Sequence, residues 1–359
     1  MTNALITARF DASFDDRLRD LCGSTTRAGY GVTGRVMDPV HFREALGAVD
    51  VLITEFEVMD AEAFAAAPNL RALTCCRNEP HASVNIAEAT ARGIPVLFTP
   101  GRNARAVAEF TLGLVLDLFR GIAESHHALK YTDRFVSHGT TGEGQLDSTA
   151  QWGLEPGDPF DVFQGPELAG RTLGLVGCGA IGAEIAGLAK ALSMDVIASD
   201  PYLSEERALA LGVKRVPLDE VASASDVVVI AAKVTPETRG LINGEFLGRM
   251  RKGTYLVNTA RAAIVDYEAL YHALETHHLR GAALDVHPVE PLPADSPFRG
   301  LNNVVLTPHL AGATVDVVRH HTRIALEDLE RVHSGQTPRF CANPEVLNEL
   351  TSDLFRGVA

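Results

Sequence analysis

Apolar residues along this chain fall into two alternating rhythms: short runs suited to buried strands, and longer stretches with an apolar residue every third or fourth position. Up to about residue 100, Ala4-Leu-Ile-Thr7, Val51-Leu-Ile-Thr54, Leu70-Arg-Ala-Leu-Thr74 and Pro95-Val-Leu-Phe98 read as strands, and Asp60 to Ala67 as an intervening helix. Residues 103 to 130 carry one long helical pattern, with Val107, Phe110, Leu114, Leu118 and Ile122 on its apolar face. Burial within the monomer and packing against a second subunit both fit that face. Residues 132 to 166 lose all period to Gly139, Gly142, Gly144, Pro156, Gly157, Pro159, Gly165 and Pro166, so they read as a long loop around Trp152. Both a lid and a solvated insertion fit it. From residue 172 the strands return as near-continuous apolar runs: Asp226-Val-Val-Val-Ile-Ala231, Thr254-Tyr-Leu-Val-Asn258, Gly281-Ala-Ala-Leu-Asp285 and Val304-Val-Leu-Thr307. Strands of that kind predict parallel sheets covered on both faces. A last helical pattern runs from Thr314 to about Ser334.

One strand leads into chemistry. Leu173-Gly-Leu-Val-Gly177-Cys-Gly179-Ala180-Ile181-Gly182 places a G-x-G-x-x-G turn between a strand and a helix. Gly177 allows a tight turn, Gly179 lets backbone N–H groups approach a pyrophosphate, and Gly182 lets the helix lie close to the strand. The helix N-terminus adds unpaired donors and partial positive charge. The next strand, Met194 to Asp200, ends in a carboxylate about 20 residues on, where a ribose is expected to be held. Pro201 and Tyr202 follow it, with no arginine for a ribose 2′-phosphate, so NAD is expected rather than NADP.

Length and charge narrow the rest. A chain of 359 residues is long for one core, so two domains are expected. A net charge of −14 without a basic run argues against nucleic-acid and anionic-membrane partners, and a small anionic substrate must meet a local cation. The N-terminus lacks a basic segment followed by a long apolar one, which reads as soluble and cytoplasmic. Five cysteines show no paired C-x-x-C spacing, so no metal is implied, and the adjacent Cys75 and Cys76 read as reduced, partly buried thiols.

Arg261, Glu290 and His309 stand just after successive strand patterns, where a doubly wound sheet opens its ligand crevice. With them the chain resembles the D-2-hydroxyacid dehydrogenase family, including its phosphoglycerate dehydrogenase-like branch, over nearly its whole length. The motifs that carry this are the glycine turn, Thr235-Pro-Glu-Thr-Arg-Gly240, the segments around Arg261, Glu290 and His309, and upstream Ala89 to Val96 and Thr99 to Glu109. The resemblance implies two doubly wound parallel-sheet domains of α/β class. Residues 1–104 would begin a flavodoxin-like substrate domain, 105–315 would form a central Rossmann NAD-binding domain, and 316–359 would return to complete the first. It implies a cleft between them that closes around the reaction, and a homodimer joined through the NAD-binding domains.

The resemblance also assigns roles. His309 would exchange a proton with the substrate hydroxyl while hydride passes between that carbon and nicotinamide. Glu290 would orient the ring and favour imidazolium, and Arg261 would bind the substrate carboxylate. Cofactor contacts would come from Gly177, Gly179, Ala180, Ile181, Gly182, Asp200 and Pro201, with Ala232, Thr259, Ala260, Asp285 and Gly312 lining the rest. The loop Cys75-Cys-Arg77-Asn78-Glu-Pro80 departs from the glycine-rich loop common in the family. Arg77 and Asn78 would bind substrate, and Arg77 points to a second anionic group, as in a phosphorylated or sugar acid; its pairing with Glu79 or Glu109 fits equally. Ala231 and Lys233 stand where a histidine and a proline are common, which points to altered cofactor contacts. Oxidation of a phosphonate, phosphite or aldehyde hydrate, and an NAD-sensing corepressor-like protein, remain alternatives.

Overall fold

The computed structural model describes residues 2–135 and 156–349. Trp152 and the middle of the loop assigned to residues 132–166 lie outside the described residues. The chain divides into two compact units, one of Met1–Asn103 with Thr314–Ala359 and one of Ala104–Ala313.

Unit 1 begins β1 (Asn3–Ile6), α1 (Asp15–Cys22), β2 (Ser24–Arg27), α2 (Tyr30–Thr33), α3 (Pro39–Leu46) and β3 (Val51–Thr54). It continues α4 (Ala61–Ala65), β4 (Ala72–Cys75), α5 (Ile86–Ala91) and β5 (Val96–Phe98). All five strands are parallel in the order β2-β1-β3-β4-β5, the flavodoxin-like winding. Alternation along each strand sends Ile6, Ile53 and Leu97 to one buried layer and Leu5, Leu52 and Leu73 to the other. Strand β2 is invisible in the hydrophobic pattern because all four of its residues are exposed at the sheet edge.

Unit 2 opens with α6 (Ala104–Arg120) and α7 (Ile122–Tyr131). The single helix expected from residue 103 to 130 is thus two. Gly121 sits between them at φ 59°, a left-handed conformation that ends the first helix, and Asp117 accepts the Ala123 N–H at 2.6 Å. Ala108, Leu112, Val115 and Phe119 of α6 are buried in the unit's own core, whereas Ile122 and Leu129 of α7 are exposed. A short helix α8 (Pro159–Phe163) then leads to β6 (Thr172–Val176), α9 (Ala180–Ala191), β7 (Asp195–Ser199), α10 (Glu205–Leu211), β8 (Lys214–Arg215), α11 (Leu218–Ala224) and β9 (Val227–Ile230). The second half is α12 (Gly244–Arg249), β10 (Tyr255–Asn258), α13 (Tyr267–Glu275), β11 (Gly281–Leu284) and β12 (Val304–Leu306). The parallel order is β12-β11-β10-β9-β6-β7-β8. The winding reverses between β6 and β9, so the carboxyl ends of those two strands flank the crevice of an open α/β sheet.

The final helix α14 (Val317–His333) packs Ala325, Leu326 and Leu329 onto the unit 1 core. None of the described helices is long and apolar enough to cross a membrane. All five cysteines are free, and Cys75 and Cys76 are wholly rather than partly buried.

Candidate active site

At the winding reversal of unit 2, Gly177 turns out of β6 at φ 93°, and a Cβ there would lie 2.8 Å from the Ala232 backbone. Only glycine passes so close to the exit of β9 in that conformation. A Cβ on Gly182 would come within 2.6 Å of the Gly177 carbonyl oxygen, so the helix can approach the strand only without a side chain. Gly179 is different. It precedes α9 as an uncapped N-terminal residue, and a Cβ would meet nothing within 4 Å. Open space in front of unpaired helical N–H groups is what a pyrophosphate needs, and Ala180 and Ile181 continue that edge. Asp200 accepts the Cys178 N–H at 2.7 Å and the Tyr202 N–H at 2.8 Å, which fixes a half-buried carboxylate beside the glycine turn with Pro201 exposed next to it. The residues present therefore fit a dinucleotide. Gly179→Ala is expected to leave the thermal unfolding temperature within a degree or so, yet weaken NADH binding at least roughly tenfold through the pyrophosphate contact. Fluorescence titration with NADH beside a melting curve checks this, and unchanged affinity would remove Gly179 from the cofactor cradle.

Arg261, Glu290 and His309 follow β10, β11 and β12, three neighbouring strands of the sheet. His309 Nδ1 lies 2.8 Å from Glu290 Oε2. The other carboxylate oxygen, Oε1, accepts the His287 N–H at 2.9 Å. Partial burial opposes ionisation of Glu290, but the hydrogen bonds from His309 and from the His287 backbone outweigh it and hold the carboxyl below its ordinary range. An ionised carboxylate only accepts, so Nδ1 carries the hydrogen and Nε2 is left for other partners. Arg261 does not join this pair. Its side chain is exposed and its Nη1 donates to the Ala260 carbonyl at 2.7 Å.

Buried polar groups that strand patterning does not flag hold these three in place. Asp285 is fully buried; its Oδ1 accepts the Thr307 hydroxyl at 2.6 Å and the Leu310 N–H at 2.8 Å, and its Oδ2 accepts the Ala311 N–H at 2.9 Å. The His309 N–H donates to the Asp285 carbonyl at 2.8 Å, and His309 itself adopts a left-handed φ of 58°. Asp285 thus spends its carboxylate on the loop that carries His309. Asn258, buried at the end of β10, accepts the Ala260 N–H and donates to the Arg261 carbonyl, each at 3.1 Å, shaping the turn that presents Arg261. Thr259 turns its hydroxyl away to Thr111 at 2.8 Å, so only its backbone is left to line the crevice with Ala260, Ala232 and Gly312, which are half-buried. A buried Asn at a strand end was the one signal that reading the sequence could have used for Asn258.

In unit 1, Arg77 leaves the carboxyl end of β4 with its guanidinium 5.0 Å from the Phe56 ring centroid. Glu109, one of its expected partners, is engaged by Arg105 at 2.6 Å. Asn78 braces its own loop, accepting the Gly101 N–H and donating to Asn103, each at 3.0 Å. A buried cluster missed in the sequence lies nearby: Arg102 Nη1 donates to Glu55 at 2.6 Å and to His321 Nδ1 at 3.1 Å. Burial favours the neutral form of His321, whose Nε2 donates to the Arg9 carbonyl at 2.6 Å.

Residues 112–311 match the family model described as D-isomer specific 2-hydroxyacid dehydrogenase, NAD binding domain. The chain is 35% identical over 337 residues to YoaD of Bacillus subtilis (strain 168), which carries a 2-hydroxyacid dehydrogenase name, covering 93% of this chain and 91% of that one. It is 38% identical over 295 residues to a glyoxylate reductase of Thermofilum pendens, covering 80% and 79%. The crystal structure of the TT0316 protein from Thermus thermophilus superposes with a TM-score of 0.69 at 31% identity, covering 95% of this chain and 100% of that one.

Proposed function

The chain belongs to the D-isomer specific 2-hydroxyacid dehydrogenases, an NAD-dependent oxidoreductase family, and from that premise we propose that it interconverts a D-2-hydroxy acid and its 2-oxo acid with His309 as the proton-transferring residue. The observation that carries this is the 2.8 Å hydrogen bond between His309 Nδ1 and Glu290. With that nitrogen committed, Nε2 of the neutral ring takes the hydroxyl proton during oxidation, and the protonated ring returns it during reduction. NAD, which the Gly177–Gly182 turn and Asp200 would hold, would supply the hydride acceptor for oxidation and, as NADH, the hydride donor for reduction. Glu290, ionised by its surroundings, stabilises the imidazolium that forms. Arg261 exchanges its bond to the Ala260 carbonyl for the substrate carboxylate, which its planar fork can grip through two N–H groups.

The finer reading concerns the substrate. Arg77, held over Phe56 at the carboxyl end of the unit 1 sheet, supports a substrate with a second anionic group, either a phosphate or a further carboxylate. A screen by NADH absorbance should compare glyoxylate, pyruvate and hydroxypyruvate with phosphorylated and dicarboxylic 2-oxo acids, and include phosphonates. Arg77→Ala is expected to lower kcat/KM about 10- to 100-fold for the doubly anionic acids alone, the worth of one charge-assisted hydrogen-bonding group. An equal loss across the panel would leave Arg77 with a role in loop shape only. The exposed Ile122, Leu129 and Phe160 and the open edge of β12 support the homodimer through unit 2 that the family reading implies.

A further inference from the structure

Two loops of unit 2 carry the groups assigned to chemistry, the turn after β10 with Arg261 and the exit of β11 with Glu290. One side chain braces the second of them. The Tyr267 hydroxyl, at the first turn of α13, donates to the Val286 carbonyl at 2.5 Å. The peptide unit whose carbonyl Tyr267 holds is the one whose N–H, that of His287, donates to Glu290 at 2.9 Å. The ring is fixed from the side by Phe298, with centroids 5.5 Å apart in an edge-on arrangement.

We propose that Tyr267 is a positioning residue that braces the Glu290–His309 pair through a continuous chain of hydrogen bonds. The chain runs from the tyrosine hydroxyl through the Val286–His287 peptide to one carboxylate oxygen, and from the other oxygen to the imidazole. Each donor in such a series polarises the next, so the peptide N–H that Glu290 accepts is made a better donor by the hydroxyl bound at its carbonyl. Burial keeps that hydroxyl protonated, so the donor is present at any working pH. The same α13 face offers a comparison: Tyr271 also packs on Phe298, at 5.6 Å, but its hydroxyl reaches only the exposed Glu275 at 3.2 Å.

This inference rests on the reading of His309 as the proton-transferring residue, and the test separates the two. Kinetics are measured with NADH and the 2-oxo acid of highest turnover in the screen above. Tyr267→Phe, which removes one oxygen and keeps the ring, is expected to lower kcat about tenfold at unchanged KM and unchanged NADH affinity, the pattern of a group felt only in the transition state. In a Glu290→Gln background the same change is expected to cost less than about twofold, because the chain is already broken. Tyr271→Phe should match the unaltered enzyme. A tenfold loss in both backgrounds, a loss carried by KM, or a loss that tracks the unfolding temperature would overturn the proposal, as would unchanged kcat. A fully active His309→Ala protein would overturn the underlying reading instead, whereas an inactive one beside an unaffected Tyr267→Phe would remove only Tyr267.

Discussion

His309→Ala is expected to lower kcat by about a thousandfold or more while NADH still binds with close to its original affinity. General acid–base groups contribute roughly 10² to 10⁴ in rate, and the neighbouring imidazole of His287 is buried with its Nε2 at the Thr307 carbonyl, 3.0 Å away, so it does not substitute. The cofactor cradle is built separately, from the turn after β6 and from Asp200, so removal of the ring leaves it intact. Pre-steady-state and steady-state rates beside an NADH titration measure both quantities. A variant with an unchanged rate would take His309 out of the mechanism, and one that lost rate and cofactor affinity together would recast it as a binding residue.

The second large effect is expected at Asp285. Asp285→Ala would leave the Thr307 hydroxyl and the Leu310 and Ala311 N–H groups without their shared acceptor, Asp285 and Ala311 being buried, Thr307 half-buried and Leu310 exposed. A buried donor left unpaired costs about 1–3 kcal/mol, and the half-buried Thr307 hydroxyl and exposed Leu310 N–H can turn partly to water, so a destabilisation of roughly 2–4 kcal/mol is expected. The loop would also lose what keeps His309 in its left-handed conformation, which a non-glycine residue holds only when its surroundings demand it. Activity should therefore fall with stability, as kcat rather than as NADH affinity. Asp285→Asn keeps the volume and one acceptor oxygen, and should lie between the two in urea unfolding and in rate. An Asn variant with the original unfolding midpoint and kcat would show that the carboxylate does not hold the loop.

The contrast between those two residues marks how far sequence patterning reaches. His309 could be named in advance because it follows a strand pattern in a fixed order with Arg261 and Glu290, and order along the chain is a one-dimensional property. Asp285 could be named, but only as a residue on the cofactor side. That its carboxylate turns to the loop after β12 depends on β11 and β12 lying side by side, which no local pattern states. The same holds for Tyr267, which none of the strand patterns and motifs marks, and for the Arg102–Glu55–His321 cluster, whose members are far apart along the chain. Local signals also fail where the energetic reward is not local. Gly121 interrupts a helical pattern whose apolar spacing continues straight through it, and β2 forms from exposed polar residues because its partner β1 offers an open edge.

By itself the sequence determined the class of architecture, since near-continuous apolar strands alternating with amphipathic helices can be buried only as parallel sheets covered on both faces. It also determined the cofactor class, because a glycine turn between strand and helix followed by Asp200 is a chemical requirement written in adjacent residues. Tertiary structure alone decided which polar groups meet. The Glu290–His309 bond, the Asp285 anchor and the Tyr267 link join segments brought together by strand pairing, and hydrogen bonds reward distances of about 3 Å that only the assembled sheet can set.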